Sequence, residues 1–127
     1  MSPYRIRTEP LADDALIVVR GGDLDIATIR ADAVAAKARF GEYGISVFSA
    51  NDEAALDVLI RERLAQFETL VVMTAGAIRR AGLELRPTFR RPHYTIMVPD
   101  LERDIARLIG CENVWMTNRH HVSVKDE

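Results

Sequence analysis

Apolar positions change their spacing several times along this chain, and each change predicts an element. Leu16-Ile17-Val18-Val19 is a continuous apolar run with β-branched members, closed by Gly21-Gly22, which predicts a buried strand. Ile26, Ile29, Ala33, Ala36 and Phe40 then recur at helical spacing after Asp23 and Asp25, two residues able to cap a helix, and Gly41 stops the run. Tyr43 to Ala50 predicts a second strand, with Ile45, Val47 and Ser49 on one face and Ser46 and Phe48 on the other. Asn51 opens a second helix whose stripe is Ala55, Leu56, Leu59, Ile60 and Leu64.

Leu70 to Met73 predicts a third buried strand, and Thr74 caps a short helix over Ala75 to Ala81, ended by Gly82. Leu83-Glu84-Leu85-Arg86 alternates as a half-exposed strand does, and the stretch bounded by Pro87 and Pro92 reads as a loop. His93 to Val98 is a further strand with Tyr94, Ile96 and Val98 on one face; Pro99-Asp100 opens a last helix through Ile109, with Leu101, Ile105 and Leu108 inward.

The order βαβαβαββα predicts an α+β fold, an α/β-like two-layer sandwich around a mixed sheet of about five strands. Parallel pairs are expected where a helix intervenes, and an antiparallel pair around Pro87 to Pro92. Helices are expected near residues 26–40, 53–66 and 100–109, and Val18, Ile29, Phe40, Val47, Leu59, Val72, Ile96 and Leu108 in the core. A chain of 127 residues fits one domain with a real core; 15–111 is the expected ordered part, with loose ends at 1–14 and 118–127.

Composition adds little to the fold and more to the chemistry. Cys111 is the only cysteine, so no intrachain disulfide and no cysteine-based zinc site is expected, and a reducing cytoplasm fits. The N-terminus has no apolar h-region, and no apolar run approaches membrane-spanning length. Charge is uneven: residues 1–70 hold eight Lys/Arg against twelve Asp/Glu, and residues 71–127 hold nine against seven. Such a split can steer an anionic ligand to one side.

The basic island is Arg79 to Tyr94, with Arg79, Arg80, Arg86, Arg90 and Arg91 set against Glu84 and leading into His93 and Tyr94. Planar guanidinium groups beside an imidazole and a phenol predict a phosphate-binding surface with a proton carrier at its edge. Phe89 in the same loop can stack on a base. The competing reading is a solvated helix face plus loop arginines that pair with acids elsewhere in the chain. Arg20-Gly21-Gly22 reads as a strand-ending turn and, alternatively, as a ligand contact beyond a strand end. Ser46 and Ser49 are polar positions in an apolar strand, and one of them can face a cavity. His120-His121 reads as part of a tail, because adjacent histidines in an extended chain point to different faces; no metal site is expected.

Leu16 to Gly22, Phe40-Gly41-Glu42-Tyr43-Gly44-Ile45-Ser46-Val47-Phe48, and Pro92-His93-Tyr94-Thr95 through Val98-Pro99-Asp100-Leu101 together resemble a set of small, largely uncharacterised actinobacterial proteins. That resemblance covers most of 16–111 and implies no particular chemistry. The chain is also similar to ADP-ribosyltransferase-like toxins, which place an arginine on an early strand and serines on a second strand beside the nicotinamide pocket. That similarity implies a nucleotide pocket lined by Arg20, Tyr43 and Ser46. The family's Gln/Glu-x-Glu pattern on a late strand has no counterpart here.

Three functions follow as expectations. The first is a small bacterial toxin-type enzyme acting on RNA, with His93 and Tyr94 catalytic and Arg79, Arg80, Arg86, Phe89, Arg90 and Arg91 holding the strand; no cofactor is needed. The second is a non-catalytic interaction domain, pairing with a protein partner, with itself, or as half of a toxin-antitoxin-like gene pair. The third is the NAD-handling transferase.

Overall fold

The computed structural model describes residues 11–21, 24–90 and 92–122, the side chain of Arg20 excepted. Each of its four helices starts where a short polar side chain accepts a backbone N–H that the helix itself cannot satisfy. Asp25 accepts from Thr28 ahead of α1 (Ile26–Phe40), and Asp52 from Ala55 ahead of α2 (Glu53–Arg63). Thr74 accepts from Ala77 at α3 (Ala75–Arg80), and Asp100 from Arg103 at α4 (Leu101–Ile109). Gly41 ends α1 at φ +88°, in the left-handed region that a side chain disfavours, and donates its N–H to the Lys37 carbonyl.

The strands are β1 (Leu16–Gly21), β2 (Gly44–Ala50), β3 (Thr69–Thr74), β4 (Glu84–Pro87), β5 (His93–Met97) and β6 (Val114–Thr117). They form one open six-stranded sheet in the order β4-β5-β2-β1-β3-β6, antiparallel at every pair. The expectation of a mixed sheet of about five strands is corrected in its pairing: the sheet has six strands and is antiparallel throughout. The physical reason is a strand inserted between crossover partners. β2 and β3 run the same way, as a helix crossover should leave them, but β1 lies between them and opposes both. β1 itself carries a bulge between Val18 and Arg20, where the register to β3 shifts. The strand therefore continues through Arg20 and Gly21, the residues read as a terminating turn; Gly22 lies outside the described residues.

Each face of the sheet carries a buried cluster under helices, so the two-layer expectation also gives way. Ile17, Ile45, Val47, Met73, Tyr94 and Ile96 join Ile29 and Ala33 of α1, Ile78 of α3, and Ile105 and Leu108 of α4 in one cluster. The alternate positions Val18, Ala50, Leu70 and Val72 pack with Leu56, Leu59 and Ile60 of α2 in a second. Of the residues expected in the core, only Phe40 is not buried.

Asp104 is a buried carboxylate (2% exposed) that closes the start of α4. Its Oδ2 accepts the Asp100 N–H at 3.0 Å, and its Oδ1 accepts from Arg103 Nε at 3.1 Å with Arg107 at 3.7 Å. Asp100 caps the helix in return, so the two carboxylates satisfy donors reciprocally. Asp104→Ala is expected to cost about 1–3 kcal/mol, because it strands a backbone donor and two guanidinium contacts. A urea titration showing an unchanged midpoint would reject this account.

The C-terminal stretch read as loose is pinned as far as Val122. Asn118 is buried and donates to the Leu64 and Phe67 carbonyls at 2.9 and 2.8 Å, and the Val122 N–H donates to the Ala65 carbonyl. Asp57 of α2 accepts from Arg119 and sits 2.9 Å from His120 Nε2. Hydrogen bonds from Arg119 and then His120 hold its carboxyl at about 2, below the usual carboxylate range. His120 thus has a structural partner. Residues 1–10 and 123–127 lie outside the described residues.

Candidate nucleic-acid interface

The β4–β5 turn supplies the central geometry. The His93 N–H donates to the Arg90 carbonyl at 2.8 Å, and the Thr88 N–H to the His93 carbonyl at 3.4 Å. The turn holds Phe89 at φ +53°, and it is the only residue with a side chain among those described to take a positive φ. A bulky residue there is strained, and such strain persists where the surroundings over-determine the conformation. The surroundings are aromatic: the Phe89 ring lies 5.5 Å from Phe40 and 5.0 Å from His93.

His93 is fixed from beneath as well. Its Nδ1 is 2.7 Å from Thr88 Oγ1, which is 2.9 Å from Thr95 Oγ1. Both threonines are fully buried, so this hydroxyl pair anchors the ring from the sheet side. On the same face, the pairing of Phe48 with His93 brings their rings to 5.7 Å, edge to face. Four rings therefore run in one unbroken row: Phe40, Phe89, His93, Phe48. All four are half-buried, so each keeps part of its surface toward solvent.

An arginine stands at each end of the row. The Arg39 guanidinium lies 5.5 Å from the Phe40 ring, and that of Arg63 lies 6.0 Å from Phe48. Both side chains are exposed, as is Arg90 beside Phe89. Beside the row, exposed Ser46 lies where two grooves meet. One, of about 340 Å³, is lined by Asp32, Ala36, Arg39, Phe40, Gly44 and Ser46; the other, of about 190 Å³, by Asp32, Ser46, Phe48, Leu64 and Phe67 among others.

The predicted arginines that are described meet different surroundings. Arg79 of α3 donates to the Leu11 carbonyl and to Asp13, at 2.6 and 2.9 Å, and Arg80 is exposed at the end of the same helix. Arg86 is bound by Glu84 and Glu42, at 3.0 Å each, and is largely covered. The Glu84 hydrogen bond, then its charge and that of Glu42, push the Arg86 guanidinium above its ordinary value despite burial, so it is committed to internal pairing. Arg91 lies outside the described residues.

Tyr94 is 3% exposed and packs in the core with Ile96, on the opposite face from His93. The structure therefore does not bring Tyr94 and His93 into one cleft. Tyr43 packs against that same core, with Lys37 5.0 Å above its ring, and does not line either groove at Ser46. Among the described residues, the only acid lining those grooves is Asp32, and no glutamate does. Among the described residues, Tyr43 and Ser46 do not share a groove, and no glutamate lines the two at Ser46; the Arg20 side chain lies outside the described residues.

Of the residues at this surface, the sequence singled out Phe89, His93 and Arg90 for RNA and Ser46 for a nucleotide pocket, and it did not single out Phe40, Phe48, Arg39 or Arg63 as site residues. Phe40 ended an apolar helical stripe and read as core, and Phe48 read as a strand residue on the face of Ser46, with no site role. One signal was available: Arg39-Phe40 sits at a helix end, where an aromatic following an arginine can leave the core. Comparison with protein-family models, curated proteins and solved structures gives no match to this chain.

Proposed function

We propose that this protein binds single-stranded RNA along the Phe40–Phe89–His93–Phe48 row. The observation that supports this reading best is the continuity of the row, with Arg39 and Arg63 at its two ends. Single strands are held by aromatic faces that stack bases together with cations that follow the backbone. Exposed Arg90 adds a cation beside the central ring, and Ser46 adds a hydroxyl that can bond to a base edge or a ribose.

A toxin-type cutting activity is the more demanding form of the same proposal. Strand cleavage moves one proton off the attacking hydroxyl and another onto the leaving oxygen. His93 is the one imidazole in the row, and buried Tyr94 cannot serve as the second carrier, so binding is supported more fully than cleavage.

The test is a titration of a labelled single-stranded RNA and of its duplex, repeated across a range of salt. Preference for the single strand is expected, with each neutralised phosphate contributing about −0.7 to the log–log salt slope. Arg39→Ala with Arg63→Ala should weaken binding and flatten that slope together. Duplex bound as well as single strand would overturn the reading, as would no binding at low salt. For cleavage, His93→Ala should relieve the growth arrest and RNA loss expected on expressing the protein in a bacterial host.

A further inference from the structure

One stripe of α1 leads into the aromatic row. Asp32, Ala35, Ala36, Arg39 and Phe40 recur at the three- and four-residue spacing that puts side chains on one helix face, and all five line the larger groove beside Ser46, about 340 Å³. Phe40, at the C-terminal end of the stripe, is the first ring of the row, and the Arg39 guanidinium lies 5.5 Å from it. Ala35 and Ala36 carry one methyl group each, so the groove stays open between that ring and Asp32. Exposed Ser46 of β2 lines the same space from the sheet.

Asp32 also lines the smaller groove, about 190 Å³, together with Ser46 and Phe48, the last ring of the row. Among the described residues, Asp32 and Ser46 are the two that line both grooves. A carboxylate on a surface that holds phosphates lowers affinity, because like charges repel. That cost is offset only where the carboxylate meets hydrogen-bond donors of the bound strand.

The four bases differ in what they show a carboxylate along the edge that a single strand leaves open. Guanine presents two adjacent donors, N1–H and the N2 amino group, which match the two oxygens of one carboxylate. Its O6 accepts, and a serine hydroxyl can donate to it. Adenine and cytosine each present one amino group. Uracil presents a single N3–H between two carbonyl oxygens, whose lone pairs face the carboxylate. An aspartate has about four acceptor sites, so Asp32 can accept from a base edge and from another donor together.

Resting on the reading of the row as a site for single-stranded RNA, we propose that the groove between Asp32 and Ser46 selects guanine. Asp32 accepts from N1–H and the N2 amino group, and Ser46 donates to O6. Phe40 is the stacking partner of the same base, and Arg39 beside it is the cation that meets the phosphate of that nucleotide.

The test is fluorescence anisotropy of a labelled uridine-only RNA and of the same strand carrying one guanosine, adenosine or cytidine at its centre. The wild type is expected to bind the guanosine strand about tenfold more tightly than the uridine strand, the scale of one bidentate base contact. Asp32→Asn replaces one acceptor oxygen by an amide donor, and an amide matches the donor–acceptor edge of adenine. Its preference should move from guanosine to adenosine, a change that loss of a structural carboxylate would not produce. Asp32→Ala should bind the uridine strand more tightly than the wild type does and no longer distinguish the strands. Asp32 is exposed on α1, so both variants should keep wild-type circular dichroism. Equal binding of all four strands by the wild type overturns the proposal, as does a guanosine preference that survives in both variants; in either case RNA binding itself stands. No binding of any strand at low salt overturns the RNA reading and the role of this groove with it.

Discussion

Ile96→Ala is expected to lower folding stability by about 2–5 kcal/mol, a large part of the roughly 5–15 kcal/mol that holds a domain of this kind together. Ile96 is fully buried in β5, between Ile45 of β2 and Leu85 of β4 in the register. It packs in the cluster that takes in Ile105 and Leu108 of α4. Truncation loses the transfer energy of the removed carbons and opens a cavity between two strands and a helix that cannot all collapse into it. Val72→Ala should cost less, since Val72 is smaller and lies in the lesser cluster under α2. Chemical denaturation of both variants is the check. A loss near zero at Ile96 would mean that β5 presents its other face to the core.

What the sequence made legible follows from where periodicity acts alone. α1 spans Ile26–Phe40, as its stripe and the Gly41 stop require, and α4 spans Leu101–Ile109 after the Asp100 cap. Strand pairing was less legible, because spacing says which way a side chain points but not which strand comes to lie beside it. β1 between β2 and β3 is a tertiary choice, made when the two faces were buried together. β6 was missed because Val-Trp-Met-Thr is too short to show a period. The arginines misled for an electrostatic reason. Arg79 and Arg86 find acids that are remote or weakly placed in sequence, Asp13 and Glu42, so a basic run became two separate structural pairings. The aromatic row was invisible for the same kind of reason, since its members come from α1, the β4–β5 turn, β5 and β2.

The row can be tested by removing its rings without disturbing what holds them. Phe48→Ala combined with Phe89→Asn should weaken single-stranded RNA binding by about 2–6 kcal/mol, taking about 1–3 kcal/mol for each stacked base lost. Asparagine suits position 89 because it tolerates the left-handed backbone that Phe89 adopts at φ +53°. The turn therefore keeps its shape, and the Thr88–His93 and Thr88–Thr95 contacts beneath it are untouched. Stability should fall far less than for Ile96→Ala, because both rings are only half-buried. The salt slope separates stacking from charge. Losing rings should lower affinity at every salt concentration and leave the slope intact, whereas losing Arg39 and Arg63 should flatten it. An RNA affinity unmoved by the double substitution, in a protein whose fold and slope are both unchanged, would show that the rings only pack against one another.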